Sequence, residues 1–575
     1  MSQTAERAGA VRLLMASEGL DGIFVRSDDR FLNEYVPKDD STRAWLTGFS
    51  GSTGDAFLGG EVGWVAVDGR YHLQAREELA EGPFAPLEVE LGTSPWTALC
   101  RHVAEWARAQ GVRRLGFAEA RMGVHQLAVL ERELDGIELV ACKPSLVEQA
   151  REEIDEAPGL LRAVDPARGG GTVQEKLARI APALSEAGVA GFLLQRLDEL
   201  AWLVNLRGDA LPHQATFRAA ALVRADEVVL ALPEPGRVSA PEAGVRLVEA
   251  EPGDELQAAL AAVARGERIG YDPGGATAAA VRGLKARGAE GIDLGESPLA
   301  QIRARKSAGE LAAMRDAFAR ADRAMENAID FVRARFAAGE RVSEADLVAE
   351  VTRCHEEQGA VGLSFRVIAA AGPNGAHIHY GKPDPERAIE ANDLVLIDTG
   401  AYFAEGYATD LTRTFLASAD AEPSPEQRAR YTHVLRAALA GMMARFPEGT
   451  RGEQLDAMVR APMWAVGLDY KHGTGHGVGV NVHEAPPRIS TKGPTPLEVG
   501  QVFSIEPGYY EAGWGGIRIE NLCTVVPAAG AEGFLDVEPM TFARLEPNLI
   551  DEALLTARER EWLERYAARR AEVLA

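Results

Sequence analysis

The N-terminal half of the chain carries one hydrophobic pattern twice. Residues 5–25 combine the helical spacing of AERAGAVRLLMASEGL with a glycine-containing turn and the apolar strand GIFV. The same order returns from residue 175, where EKLARIAPALSEAGVAGFLL predicts helix, turn and strand, and DELAWLVNLRG echoes the earlier STRAWLTGFSG. We interpret this repetition as an internal duplication of an α/β unit.

The C-terminal half begins and ends with predicted helices. From Ser307, the stretch KSAGELAAMRDAFARADRAMENAIDFVRARF has the apolar spacing of a capped helix of about seven turns. The tail from residue 551 predicts a terminal helix. Between them, DLVLIDTG predicts a buried strand and DLTRTF an alternating, half-buried strand, with FAEGY supplying the turn.

The length of the chain calls for several domains. At 575 residues it exceeds one ordinary core, and about 150 residues per domain gives three or four. We assign the first α/β domain to 1–155, the second to 156–303 and the third, with a C-terminal extension, to 304–575. The glycine-rich stretch RGGGT, 168–172, lies near the first junction.

Composition and charge exclude several classes of partner. The net charge of −25, from 61 basic and 86 acidic residues, opposes binding to nucleic acid or an anionic membrane. Four cysteines without a C-x-x-C pair predict neither a disulfide framework nor a thiolate zinc site. The N-terminus lacks a basic start followed by an apolar core, and no 18 uncharged apolar residues run together. We therefore expect a cytoplasmic protein.

An acidic pair flanks the first turn. Asp398 follows the apolar run LVLI, and Asp410 opens DLTRTF. If the two strands pair about Ala404, these aspartates lie directly opposite each other, with Cβ atoms about 5 Å apart. Like charges at that distance are unfavourable without a cation.

A second segment repeats this arrangement. In VFSIEPGYYEAGWGGIRIEN, pairing about Gly513 sets Glu506 opposite Glu520. A lone aspartate at a strand end is most often a turn or cap residue, but two independent pairs with matched geometry argue against that interpretation. Four carboxylates on two hairpins predict a metal site.

Histidines add to the same chemistry. Five of the eleven lie close to the acidic segments in the sequence: His377, His379, His472, His476 and His483. Four carboxylates with one imidazole form a hard, oxygen-rich set that suits two adjacent divalent ions, Mn²⁺ before Zn²⁺. Two such ions about 3.5–4 Å apart support hydrolysis. The glycines of GTGHGVG could also form a phosphate loop, but no G-K-[ST] follows, which disfavours nucleotide binding.

Several motifs, in a fixed order, indicate a family. They are NEYV, TGFSGSTG, VDGRYHLQA, LDELAWLVNLRG, IHYGKP, TGHGVGVNVHEAP, EPGYYE and GIRIEN. Over nearly the whole chain they resemble the metallopeptidase family of aminopeptidase P, prolidase, methionine aminopeptidase and creatinase, and most closely its long, three-domain members. The resemblance implies an α/β fold in which two creatinase-type N-terminal domains precede a pita-bread catalytic domain.

The resemblance also implies roles for particular residues. It makes five residues the ligands of two Mn²⁺ ions per chain: Asp398, Asp410, His476, Glu506 and Glu520. It makes Glu506 the general base as well, and it implies that His379 and His483 contact the scissile carbonyl. Substrate contacts are expected from His379, His472, Val482, His483, Tyr510 and Arg518. Of these, Tyr510 and Arg518 would also hold ligands in place.

The chain departs from the family pattern at one point. The family spacing of the aspartate pair is D-x10-D, whereas eleven residues separate Asp398 from Asp410. We expect a bulge or a longer loop within AYFAEGYAT to absorb the extra residue, so that Asp410 remains a ligand. In HIH the family match selects His379, and His377 is expected to face the other way on a strand.

The activity implied is removal of the N-terminal residue from peptides whose second residue is proline. An X-Pro bond has no N–H, so a dedicated pocket is required. The runner-up is a prolidase, which cleaves only dipeptides. A metal-free binding module would need lost ligand positions, and all five are filled here; the same argument disfavours creatinase. Methionine aminopeptidase lacks the two preceding domains. A homodimer is expected from the resemblance alone.

Overall fold

The computed structural model describes residues 2–151, 159–238 and 241–575, which form two compact units. The first unit comprises Met1–Pro166, Gly171–Pro212 and Thr216–Ile302, and the second comprises Ala167–Gly170, His213–Ala215 and Arg303–Ala575. The predicted limit between residues 155 and 156 lies outside the described residues. The two units divide between Ile302 and Arg303, one residue before the predicted limit at 303.

The first unit begins with a six-stranded sheet. Its elements are α1 Gln3–Ser17, β1 Gly22–Val25, α2 Thr42–Thr47, β2 Asp55–Gly59, β3 Gly63–Val67, α3 His72–Glu78, β4 Ala85–Glu88, α4 Pro95–Gln110, β5 Arg114–Ala118, α5 Val124–Glu133, β6 Glu138–Cys142 and α6 Leu146–Gln149. The strand order is β4-β3-β2-β1-β5-β6. The pairs β1-β2 and β2-β3 are antiparallel, and the other three are parallel.

A second six-stranded sheet follows in the same unit. Its elements are β7 Leu161–Ala163, α7 Val173–Glu186, β8 Gly191–Leu194, α8 Leu197–Leu203, β9 Leu206–Gly208, β10 Ala220–Val223, β11 Val228–Leu232, β12 Val245–Glu249, α9 Glu255–Leu260, β13 Arg268–Tyr271, α10 Ala278–Ala286, β14 Glu290–Asp293 and α11 Ala300–Ala304. The order β12-β11-β10-β8-β13-β14 repeats the first sheet, including which pairs are parallel. The predicted duplication is therefore present in the fold, with the echoed motifs forming α2 and α8.

The second unit contains the chemically dense part of the sequence. Its elements are α12 Ala308–Ala337, α13 Glu344–Glu357, β15 Gly362–Leu363, β16 Ile368–Ala371, β17 Leu394–Thr399, β18 Ala401–Tyr402, β19 Leu411–Leu416, α14 Pro425–Met442, β20 Arg445–Pro447, α15 Gly452–Trp464, β21 Gly475–Gly477, β22 Glu484–Ile489, β23 Val502–Ile505, β24 Gly508–Glu511, β25 Gly515–Arg518, β26 Asn521–Pro527, β27 Phe534–Pro539 and α16 Ala557–Leu574. Ser307 caps α12, as predicted, through a reciprocal pair of hydrogen bonds with Glu310. Among the helices of the described ranges, none combines the length and the hydropathy that crossing a bilayer demands.

Two apolar cores hold the second unit together. In one, α12 and α13 pack on the three-stranded sheet β16-β17-β19 through residues such as Ile329, Val351 and Ile397. In the other, α14 and α15 pack on the sheet β20-β27-β26-β23-β21-β22 through residues such as Leu435 and Phe503. Each sheet thus has a helical pair on one face.

Strand β19 is buried along its whole length, so the prediction of a half-buried strand is wrong. Leu411 and Phe415 face the core formed with α12 and α13. On the opposite face, Thr412 donates to Glu520 Oε2 at 2.8 Å and Thr414 donates to the carbonyl of Arg518 at 3.0 Å. The second acidic segment covers the face that the alternating pattern assigned to solvent.

Candidate metal centre

The first hairpin pairs in a different register from the predicted one. Strands β17 and β19 set Asp398 opposite Thr412, so the prediction that Asp398 lies directly across from Asp410 is wrong. The shift is two residues, and side chains alternate with a period of two. Asp410 therefore keeps the same face as Asp398 and becomes its diagonal neighbour.

The turn of this hairpin explains the shift. Thr409 pairs with Ala401 through two hydrogen bonds, one from each backbone N–H, and a bridge joins Tyr402 to Ala408. Gly400 makes this close approach possible, because a Cβ atom there would lie 1.8 Å from the carbonyl oxygen of Thr409. The pairing of β17 with β19 continues in the same register as far as Tyr402 and Ala408 and leaves a loop of residues 403–407. The extra residue therefore lies in a longer loop rather than in a bulge.

The second acidic segment has the predicted register. Ile505 pairs with Asn521, and Gly508 pairs with Arg518. These pairs flank Glu506 and Glu520 and set them opposite each other about Gly513. Both carboxylates therefore lie at the same level of the two paired segments.

His476 joins the carboxylates of both segments. It lies on β21, and its Nε2 is 3.5 Å from Asp410 Oδ2 and 3.4 Å from Glu506 Oε1. Ligand atoms of Asp410, His476 and Glu520 all lie within 4.8 Å of one another. Residues from three separate segments of the chain thus lie close together, and their role as metal ligands stays a prediction.

The carboxylates are buried, and their protonation reflects the burial. Asp398, Asp410 and Glu520 are at most 8% exposed. Burial raises the pKa of Asp398 to about 6 although Arg518 opposes the shift. Burial also raises the pKa of Glu506 to about 7, and that of Glu520 is raised well above its ordinary range, with repulsion from Asp410 contributing. Burial alone would lower the pKa of His476, but its bond to Asp410 and the charge of Glu506 raise it to about 9.

These residues fit divalent cations. Asp398 Oδ1 and Glu520 Oε1 are buried, and no described residue gives either of them a hydrogen bond. Buried carboxylate oxygens are ordinarily hydrogen-bonded or bound to a cation. A group of buried carboxylates with a single imidazole among them is an oxygen-rich donor set, which hard divalent ions prefer.

A hydrogen-bonded chain connects this centre to Tyr510 and His472. Arg518 donates to Asp398 Oδ2 at 2.6 Å and to the Tyr510 hydroxyl at 2.8 Å, and that hydroxyl lies 3.0 Å from His472 Nε2. Both Arg518 and His472 are buried. These hydrogen bonds can fix the orientation of Asp398, and the role of Arg518 and Tyr510 in holding ligands in place stays a prediction.

The remaining predicted residues lie on nearby segments. His483 is half-buried, and its ring lies 4.3 Å from that of His476, edge to face. Val482 is 1% exposed, so its contact with substrate stays a prediction. His379 is half-buried in the turn after the 3₁₀ helix Gly372–Ala376. His377 lies in the same non-strand segment, so its predicted strand position is wrong: β16 ends before Gly372, whose φ is +54°.

Sequence reasoning missed two hydroxyls that hold the ligands. Thr412 donates to Glu520 Oε2, and Ser504 donates to Glu506 Oε1 at 3.2 Å while accepting from the backbone N–H of His476 at 3.1 Å. Both hydroxyls could have been found from the sequence, because side chains two positions apart on a β-strand lie on the same face. Thr412 is two positions from Asp410, and Ser504 is two positions from Glu506, so each shares the face of a ligand.

The chain is similar to known metallopeptidases along most of its length. Residues 312–527 match metallopeptidase family M24, and residues 7–152 and 160–310 match the creatinase/prolidase N-terminal domain. A Talaromyces stipitatus protein, described as a probable Xaa-Pro aminopeptidase P, is 33% identical over 98% of this chain and 88% of its own length.

Solved structures are similar to the chain as well. An X-prolyl aminopeptidase from Caenorhabditis elegans, described as a cytosolic enzyme with a di-nuclear active site, has a TM-score of 0.89 and 25% identity, covering all of this chain and 96% of its own. A Xaa-Pro dipeptidase from Bacillus anthracis has a TM-score of 0.54 and 29% identity, covering 65% of this chain and 99% of its own.

The chain belongs to metallopeptidase family M24. Its N-terminal part consists of creatinase/prolidase-type domains. These findings confirm the family resemblance and the predicted fold class.

Proposed function

We propose that this chain is an Xaa-Pro aminopeptidase, which hydrolyses the bond before proline at the second position of a peptide and releases the first residue. The observation that carries the proposal is the convergence of Asp410, His476 and Glu520, with Asp398 and Glu506 beside them, in a chain related over 98% of its length to proteins described as Xaa-Pro aminopeptidases. This combination supports hydrolysis rather than binding alone.

The site residues have different proposed roles in the hydrolysis. The five ligands would hold two divalent ions, which supply Lewis-acid activation of a water molecule and of the substrate carbonyl. Glu506, held by Ser504 beside His476, is the proposed general base. His483, in ring contact with His476, would donate to the developing oxyanion, and His379 would position the scissile bond.

The proline ring sets the demands on the pocket. It is compact and apolar, and the X-Pro bond has no N–H to donate. We assign its surroundings to His472, Val482 and His483, with Tyr510 and Arg518 holding the ligands and the substrate. The bond between His472 Nε2 and the Tyr510 hydroxyl supports a rigid wall at this position.

The main alternative is a dipeptidase with the same ligands. The Bacillus anthracis dipeptidase covers 65% of this chain, whereas the relatives described as aminopeptidases cover nearly all of it, which favours the aminopeptidase. A non-catalytic module is disfavoured because all five ligand positions are filled.

Cleavage of three peptides under identical Mn²⁺ conditions tests the proposal. We expect Ala-Pro-Ala to be hydrolysed at least as well as Ala-Pro, because an aminopeptidase leaves the peptide beyond proline free to extend. Ala-Ala-Ala is expected to be poor, since it lacks the ring that the pocket fits. Cleavage of the dipeptide alone would establish the prolidase alternative, and equal cleavage of Ala-Ala-Ala would contradict the proline pocket.

The oxygen-rich ligand set favours Mn²⁺ as the native ion. Four free cysteines and the description of the nematode neighbour as cytosolic support a cytoplasmic location. The acidic net charge of −25 disfavours nucleic acid and anionic membranes as partners.

The proposed quaternary state is a homodimer. The support for this proposal is the resemblance of the chain to the long, three-domain members of its family. Light scattering should return twice the chain mass of 61.6 kDa. A mass equal to one chain at working concentration would contradict the dimer.

A further inference from the structure

The segment from Arg303 to Glu310 contacts both connections that carry site residues. One connection is the loop 403–407, which precedes Asp410, and the other is the stretch 478–483, which joins β21 to β22 and ends at His483. None of the roles proposed above involves this segment. Its contacts form two groups, one at each of its ends.

At the first end, a buried carboxylate organises the 478–483 connection. Glu484 Oε1 accepts from the backbone N–H of Val480 at 2.6 Å and of Asn481 at 3.3 Å. The carboxylate lies so close to the backbone that a Cβ atom at Gly479 would be 2.2 Å from Glu484 Oε2. The fold of this connection therefore depends on the position of the Glu484 side chain.

Two cations fix that side chain from the 303–310 segment. Arg303 Nη1 lies 2.7 Å from Glu484 Oε1, and Lys306 Nζ lies 3.1 Å from Glu484 Oε2, with all three side chains at most 2% exposed. Lys306 Nζ also donates to the carbonyl of Arg303 at 2.9 Å. Buried ion pairs constrain geometry strongly, because any displacement leaves a charge without its partner in a medium of low polarity.

At the second end, the segment reaches the lengthened loop before Asp410. The hydroxyl of Tyr407 lies 3.2 Å from Glu310 Oε1 and 2.9 Å from the carbonyl of Arg168. Tyr407 is 1% exposed, and Glu310 also belongs to the capping pair at the start of α12. The loop that absorbs the extra residue is thus tied to the same segment.

The two connections also contact each other. The backbone N–H of Ala408 donates to the carbonyl of Gly479 at 2.8 Å. Ala408 is two residues before Asp410, and Gly479 is four residues before His483. Each of three segments therefore contacts the other two: residues 303–310, the loop before Asp410 and the 478–483 connection.

We propose that residues 303–310 act as a clamp that sets the position of His483 relative to Asp410 and His476, with Arg303, Lys306 and Glu310 as positioning residues. The catalytic consequence rests on the role proposed above for His483. The geometric consequence, a shared restraint on both connections, does not depend on it.

Lys306→Met is the informative substitution, because it leaves Arg303 and Glu484 as a balanced pair with no uncompensated charge. Amide hydrogen exchange at Val480, Asn481 and Ala408 should accelerate about tenfold or more. With Ala-Pro-Ala, kcat per folded, metal-loaded chain should fall about tenfold while KM changes little, because His483 acts in the transition state. Lys306→Arg, which keeps the positive charge, should retain most of the slow amide exchange and most of the turnover of the unsubstituted protein.

The matched control is Arg305→Met. Arg305 is two positions from Arg303, but it is 48% exposed and pairs at 3.3 Å with the exposed Glu498. It should match the unsubstituted protein in exchange and in kinetics.

Unchanged exchange at all three amides in Lys306→Met would overturn the clamp. Faster exchange with unchanged kcat per folded, loaded chain would overturn its catalytic consequence. If the unsubstituted protein cleaves no Xaa-Pro peptide, the proposed function fails and the exchange result alone decides the clamp. If Lys306→Met does not fold, Tyr407→Phe is the second test, because it removes only one hydroxyl group. Faster amide exchange at Ala408 in this variant would support the clamp, and unchanged exchange there would overturn it.

Discussion

Removal of divalent metal with a chelator is expected to abolish peptide hydrolysis, and Mn²⁺ is expected to restore it better than Zn²⁺. The physical reason lies in the buried carboxylates. Asp398 Oδ1 and Glu520 Oε1 receive no hydrogen bond from any described residue, and burial raises the pKa of Glu506 to about 7. Without metal, the site holds protons in place of cations, and the activation of water is lost.

Elemental analysis must accompany this experiment. Hydrolysis should follow the metal content of each preparation, and the fold should survive chelation because the apolar cores do not depend on the site. Full activity in a preparation that contains no metal would rule out metal-dependent hydrolysis. If Zn²⁺ restored hydrolysis better than Mn²⁺, the dinuclear site would still be supported, but the choice of Mn²⁺ would be wrong.

Asp410→Asn is expected to lose metal and nearly all turnover while the fold survives. Asp410 Oδ2 lies 3.5 Å from His476 Nε2, and its side chain shares a cluster with Glu520. An amide is a neutral and poorer ligand for a hard cation, so kcat should fall by about 10²-fold or more. Metal content per chain and circular dichroism would separate loss of the ligand from loss of structure.

Asp420→Asn provides the matched control. Asp420 is an exposed aspartate ten positions further along the same stretch, beyond the end of β19. Its substitution should leave metal content and turnover unchanged. Near-normal activity in Asp410→Asn would mean that another carboxylate has taken the ligand role, and that the lengthened loop has displaced Asp410 from it.

The parts of the fold that follow local patterns could be predicted from the sequence. The helical period and the cap at Ser307 locate the start of α12, and the repeated helix-turn-strand order reveals the duplication. The acidic pairs were recognisable because carboxylates at strand ends are costly in proximity unless a cation is present. The register about Gly513 could be predicted as well, because the glycine-rich turn EAGWGG lies between Glu506 and Glu520.

The register of the first hairpin could not be predicted, because it depends on tertiary contacts of the turn. Gly400 packs against Thr409, and β18 pairs with β15, and neither contact has a local signal. The contact between Lys306 and Glu484 spans 178 positions and joins segments with no shared periodicity. Burial of the polar face of β19 likewise depends on the segment that contains Glu520.

Titration of metal-free protein with Mn²⁺, followed by analysis of the products from Ala-Pro-Ala, tests the central claim most directly. The account predicts that alanine and Pro-Ala appear together and that their rate reaches its plateau when two equivalents of metal per chain are bound. Release of Ala-Pro, a plateau at one equivalent, or the same rate without metal would contradict it.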